Sequence, residues 1–155
     1  MSRLRAAAPN ACILDDFLGG EALAGVYSAT CLNVHPCLYD AYGMPVVEAA
    51  AFGAPTAVKR GGTVGATALL NGPAGSSGAP GCFELALGGS AGGSSASMDT
   101  GDAAAAILAV LDDARGLHQV AATARERALA WGEAAAGKVL HDELGRLVRA
   151  GTAGV

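Results

Sequence analysis

The chain has 155 residues, the size of one ordinary domain, and 52% of them are hydrophobic, which excludes disorder throughout. Ten basic and fourteen acidic side chains give a formal charge of -4 with no Lys/Arg cluster, so nothing stands ready to neutralise a run of phosphates and nucleic acid is not an expected partner. The longest apolar stretches, such as Ala103 to Leu111, fall well short of the ~20 residues that span a bilayer, and no transmembrane segment is expected.

Residues 1–10 read as an N-terminal extension. Met1 to Ala8 is faintly like a targeting peptide but lacks a long apolar segment. No compartment is read from it, and a cytoplasmic location is the default expectation. Aromatic residues make up only 5% while Ala and Gly are abundant, so the core should be built from Ala, Val and Leu on closely approaching elements. Cys12, Cys31, Cys37 and Cys82 form no CxxC pair and have no His spaced to complete a zinc site, which predicts four buried thiols.

In chain order, Ala11 to Leu14 is a short strand candidate, and Glu21 to Ala29 places Leu23, Val26 and Tyr27 at helical spacing. Cys31 to His35 reads as a second strand, stopped by Pro36. A loop through Tyr42, Gly43 and Met44 leads to a helix opened by Pro45, running through Phe52 and closed by Gly53 as a C-cap. Pro55 to Val58 is a third strand candidate, followed by Gly61-Gly62 and a short helix near Ala66 to Leu70. Strand, helix, strand, helix, strand in units this short predicts right-handed crossovers, hence an α/β, Rossmann-like parallel sheet with flanking helices.

Residues 71–100, dense in Gly, Ser, Ala and Pro, read as a flexible surface insertion, with Phe83 to Leu87 as one strand candidate inside it. Asp102 suits an N-cap for a helix through Leu111, and further helices are predicted from Leu117 to Ala130 and from about Glu133 to Val148. Leu129, Val139, Leu140, Leu144 and Leu147 supply an apolar stripe for these last segments. The domain thus covers residues 11–150, with 151–155 as a tail.

The chemistry is concentrated between His35 and Ala49, where the carboxyl end of a strand passes through a glycine-containing loop into the amino end of a helix. Open α/β sheets bind ligands at such places. The helix start offers unsatisfied N–H groups and a positive dipole end, and Gly43 lets the backbone approach closely, so phosphate binding is expected at residues 43 to 46, that is Gly43, Met44, Pro45 and Val46. Asp40 lies before the loop and Glu48 about one turn into the helix. Two carboxylates so placed can bracket a ligand and chelate vicinal hydroxyls of a ribose, a donor hexose, or both.

These residues resemble the retaining GT-B glycosyltransferases of family four, in which two acidic residues separated by seven others frame the donor site, as Asp40 and Glu48 do here. The family's "hPslyE" and "fGlpvlEAmacGtPvv" correspond to VHPCLYDAYGMPVVEAAAFGAPTAV in this chain. LDDFLGGEALAGVYSAT is similar to the segment before that strand, and ARERALAWGEAAAGKVL to the family's late "fsWe" region at Trp131 and Glu133. The resemblance covers about residues 11 to 70 and 99 to 147 and implies the second, carboxy-terminal half of a GT-B fold, followed by C-terminal helices. It implies that Glu48 holds the ribose of a nucleotide diphosphate sugar, that Asp40 is the catalytic-site acid on the donor sugar, and that the backbone of Gly43 and Met44 holds the diphosphate. The reaction implied is hexosyl transfer with retention to an unknown hydroxyl acceptor.

The chain departs from the family in carrying Asp40 where Glu is usual, one methylene shorter, and Cys37 where Ser is usual. The family's acceptor-binding first domain, and the basic residues that neutralise the leaving diphosphate, would precede residue 1. The chain therefore reads as a donor-binding half, either part of a transferase or a non-catalytic nucleotide-sugar-binding fragment or subunit, the latter requiring a partner chain that supplies the acceptor domain. No metal is expected, since no acidic cluster of the metal-binding kind stands near the loop, and no cofactor beyond the donor substrate.

Other residues carry two readings each. His35 is either a contact to donor sugar or phosphate or a structural histidine. Tyr39 and Tyr42 either pack or stack on a base, Trp131 packs in the core or against another domain, and Gly62 either shapes the donor pocket or simply turns the chain. Gly88 to Gly93 lacks the GK[ST] of a phosphate loop and reads as low-complexity sequence.

Overall fold

The computed structural model describes residues 8, 10–12, 14, 16–72, 78–87 and 100–132, and nine positions between 134 and 149 (134, 135, 137, 138, 141, 142, 145, 146 and 149), all nine of them helical. Helix α1 (Gly20–Ser28) precedes strand β1 (Asn33–His35), β2 (Tyr39–Asp40), helix α2 (Met44–Ala51) and β3 (Thr56–Lys59). Then come β4 (Thr63–Val64), α3 (Gly65–Asn71), β5 (Phe83–Leu85), α4 (Thr100–Asp112) and α5 (Ala114–Ala130). Strands β1, β3 and β5 form one parallel sheet in that order, with Asn33 opposite Thr56 and Ala57 opposite Phe83. A second parallel pair, β2 with β4, sets Asp40 opposite Val64.

Central position explains the composition of β3. Thr56, Ala57 and Val58 are all buried, the continuous burial that a strand covered on both faces requires. Helix α2 starts as Pro45 predicts and buries Val46, Ala49 and Ala50, which share one face at i, i+3 and i+4. It ends at Ala51 rather than Phe52. Gly53, at φ +81°, donates to the Ala50 carbonyl while Ala54 donates to that of Ala49, the paired bonds of a Schellman stop. Helix α5 lies against both α2 and α3 and buries Val120, Ala124 and Ala128; the two alanines join the shared core, so small side chains let three helices close on it. That core joins Val46, Ala50, Val58, Val64, Ala66, Leu70, Cys82, Ala124 and Ala128. Among the described residues no helix is long and apolar enough to cross a membrane.

Several expectations need correcting. The described residues of the 11–14 segment form no strand; the Ala11 N–H turns back onto the Ala8 carbonyl, because a run this short has no periodicity to commit it to a sheet. Strand β1 begins at Asn33, not Cys31. Helix α4 begins at Thr100, so Asp102 lies in its first turn, where it complements the dipole instead of capping. Asp113 does cap: its carboxylate accepts from the Gly116 N–H at 2.9 Å and starts α5.

Only one of the four cysteines is buried. Cys12, Cys31 and Cys37 are exposed because they fall in connecting segments, whereas Cys82 enters the core just before β5. Burial pushes its thiol up to about 11. Residues 78–87 are likewise no mere excursion, since Gly81, Cys82 and Leu87 are buried and β5 completes the sheet; residues 73–77 and 88–99, including the Gly88 to Gly93 tract, lie outside the described residues. Leu129 is 59% exposed and Trp131 48%, so neither is core, and the remaining stripe residues Val139, Leu140, Leu144 and Leu147 lie outside the described residues, as does Glu133.

Candidate functional site

The turn into α2 is assembled at the carboxyl ends of β1 and β2. Pro36 stops β1 and the chain re-extends as β2, held to β4 by pairing and by the Thr63 N–H, which donates to the Leu38 carbonyl at 2.8 Å. Gly62 is brought alongside: a Cβ there would stand 3.0 Å from the carbonyl oxygens of Cys37 and Lys59. Gly43 adopts φ +68°, and a Cβ on it would come within 2.7 Å of Val64 Cγ1 and 2.9 Å of Ala66 Cβ. Loop 41–43 is therefore seated tightly on the start of α3.

Asp40 builds this loop. Its Oδ1 accepts from the Gly43 N–H at 2.8 Å and the Tyr42 N–H at 3.2 Å, and its Oδ2 lies 3.1 Å from His35 Nε2. The His35 nitrogen is buried and this contact is not aligned as a hydrogen bond, so it is a close approach only. The Gly43 N–H, first, and then the Tyr42 N–H and His35 hold the Asp40 carboxyl below its ordinary value of 3.8, against a smaller opposing effect of desolvation.

A depressed carboxyl stabilises the fold above the ordinary value, and that contribution disappears as pH falls through the folded-state value. The gap in urea midpoint between wild type and Asp40→Asn should therefore be constant near neutrality and close below about pH 4. A gap that persists unchanged to about pH 2 would show that the ionised carboxylate is not its source.

The N–H groups at the start of α2 are largely committed. That of Gly43 goes to Asp40, Pro45 has none, and those of Val46 and Val47 both reach the Gly43 carbonyl, at 2.9 and 3.2 Å. Met44 keeps the N–H without a partner among the described residues. Val46 directs its side chain into the core. Glu48 lies in the second turn, where its Oε2 accepts from the Tyr27 hydroxyl of α1 at 3.4 Å. Burial, then the Glu48 charge and hydrogen bond, raise the Tyr27 phenol above its ordinary value. The Tyr27 ring stacks on Phe52 with centroids 6.3 Å apart, fixing α1 against α2. Asp40 and Glu48 thus flank the helix start, each with its own protein partners.

A cavity of about 390 Å³ opens beside the same helix start, walled by Ala41, Tyr42, Met44, Val47, Gly65, Ala66, Leu69 and Trp131. Its walls are chiefly apolar. Of the predicted site residues Tyr42 and Met44 line it, whereas His35, Asp40, Gly43, Pro45, Val46, Glu48 and Gly62 do not. Tyr39 and Tyr42 are both exposed, so neither packs in the core. Sequence reasoning missed Tyr27 and Gly65. The former is paired with a residue twenty-one positions away, and the latter is required because a Cβ there would run into the Ala41 carbonyl.

The sequence matches no protein-family model and no curated protein. The fold is similar to that of a GT-B glycosyltransferase, sucrose-phosphate synthase from Thermosynechococcus elongatus, with a TM-score of 0.60 and 21% identity over 97% of this chain. The chain spans 34% of that enzyme's length. What is shared is the α/β layer of parallel strands flanked by helices.

Proposed function

We propose that the chain binds the nucleotide diphosphate sugar of a glycosyltransferase at the turn into α2. The observation that carries this reading is the placement of Glu48 beside a helix start whose Met44 N–H has no partner among the described residues, at the carboxyl ends of parallel strands, in a fold similar to that of a GT-B glycosyltransferase. Glu48 is the group assigned to the ribose hydroxyls, which would replace or share its weak bond from Tyr27. The Met44 N–H and the helix dipole are assigned to the diphosphate. Transfer of the hexosyl group with retention requires the donor to be closed against an acceptor-binding half with water excluded.

Thermal unfolding with UDP, GDP, ADP and their sugar conjugates tests the donor site. A ligand at about a hundred times its dissociation constant should stabilise by roughly 2.7 kcal/mol. One nucleotide family should produce the shift, and Glu48→Ala should lose it while still melting cooperatively. A cooperative wild-type transition that no nucleotide moves would end the donor-site reading.

A further inference from the structure

We propose that Asp40 is a positioning residue, whose carboxylate builds the turn into α2 and does not ligate donor hydroxyls. The inference deepens the donor-site reading and rests on it only for its ligand arm. An ionised carboxylate offers about four acceptor positions. Two are taken by protein donors, the N–H groups of Tyr42 and Gly43 on Oδ1, and His35 Nε2 crowds Oδ2 at 3.1 Å without a hydrogen bond. The two backbone bonds run from the second and third residues after Asp40, the reach of an Asx-type turn, which a side chain one methylene longer overshoots.

The bond to Gly43 matters because of what Gly43 does. Its left-handed backbone reverses the chain into the helix, its carbonyl takes the first N–H groups of α2, and Val64 and Ala66 close over its Cα. Asp40 pins that residue from the other side. The direction of the unpartnered Met44 N–H follows from this pinning, so Asp40 acts on a ligand at the helix start through the backbone.

Two substitutions separate shape from charge. Asp40→Asn keeps an oxygen acceptor at the same reach and removes the charge; Asp40→Glu keeps the charge and moves it. Amide hydrogen exchange at Gly43 reads the pinning directly, and the nucleotide-sugar thermal shift reads the ligand. Asp40→Asn should keep Gly43 protection to within about threefold and keep the ligand shift, while Asp40→Glu should lose about tenfold or more of the protection and lose the shift. Asp40→Asn abolishing the ligand shift with Gly43 still protected would overturn the proposal, as would Asp40→Glu leaving Gly43 fully protected. If no nucleotide sugar shifts even the wild type, the donor-site reading fails on its own, and the exchange data still decide the role of Asp40.

Discussion

Replacing Leu70 by Ala should destabilise the protein by about 2–5 kcal/mol, the range for emptying a fully buried leucine site. Leu70 has no exposed surface and sits where α3, α5 and the approach to β5 meet. Its surroundings resist collapse. The Leu70 carbonyl accepts from the Arg127 guanidinium of α5, and Gly81 abuts the same carbonyl so closely that a Cβ would not fit. Backbone held on two sides cannot relax into the void, so the lost contacts are not remade. Urea denaturation measures the loss directly, and a domain of this size should also lose roughly 10 °C in melting temperature. A loss below about 1 kcal/mol would mean that the neighbouring helices close over the gap.

Gly43→Ala should cost nearly as much and for a different reason. A left-handed backbone costs a non-glycine residue about 1–2 kcal/mol, and forcing a methyl into a filled space adds about 1–3 kcal/mol. Both apply, since φ is +68° and Val64 Cγ1 and Ala66 Cβ already occupy the position of the new methyl. Gly61→Ala separates the two contributions: φ is +71° there, but nothing lies within 4 Å, so only the backbone cost should appear. Equal losses for the two variants in urea denaturation would show that crowding at Gly43 is relieved by movement of α3. Gly43→Ala should also remove any ligand shift, because the start of α2 cannot keep its geometry once loop 41–43 is displaced.

Much of the α/β layer is legible in the residues themselves. Pro45 and Gly53 bracket α2 by backbone rules that hold in any context, and the apolar run after Pro55 can only be a buried strand or a buried helix, with its length deciding for a strand. Strands β2 and β4 were not legible, because two residues carry no periodicity and exist as strands only through each other. The cysteines misled for a related reason. Burial of a thiol is a property of where its segment runs: all four fall in connections, and only Cys82, next to β5, is carried into the core.

At the candidate site, the turn from strand into helix was readable and the partners of its side chains were not. Asp40 with a glycine three residues on is a local pattern, and its turn-forming role could be weighed from sequence alone. Its approach to His35 depends on how β1 and β2 re-enter side by side, and the bond between Glu48 and Tyr27 on the docking of α1 onto α2. The apolar cavity is less legible still, since Trp131 reaches it from the far end of α5.

Asn71 closes α3, and its side-chain oxygen receives three donors at once: the N–H of Gly81 at 2.9 Å, the N–H of Cys82 at 3.0 Å and the Cys82 thiol at 3.3 Å. The point at which the chain rejoins the sheet is therefore set by one amide, independently of how many residues lie between. Doubling the length of a connection costs only about 0.6 kcal/mol in closure entropy. The register of β5 should therefore tolerate lengthening or shortening of the connection between Asn71 and Gly81, because the anchor lies in the amide and not in the connection.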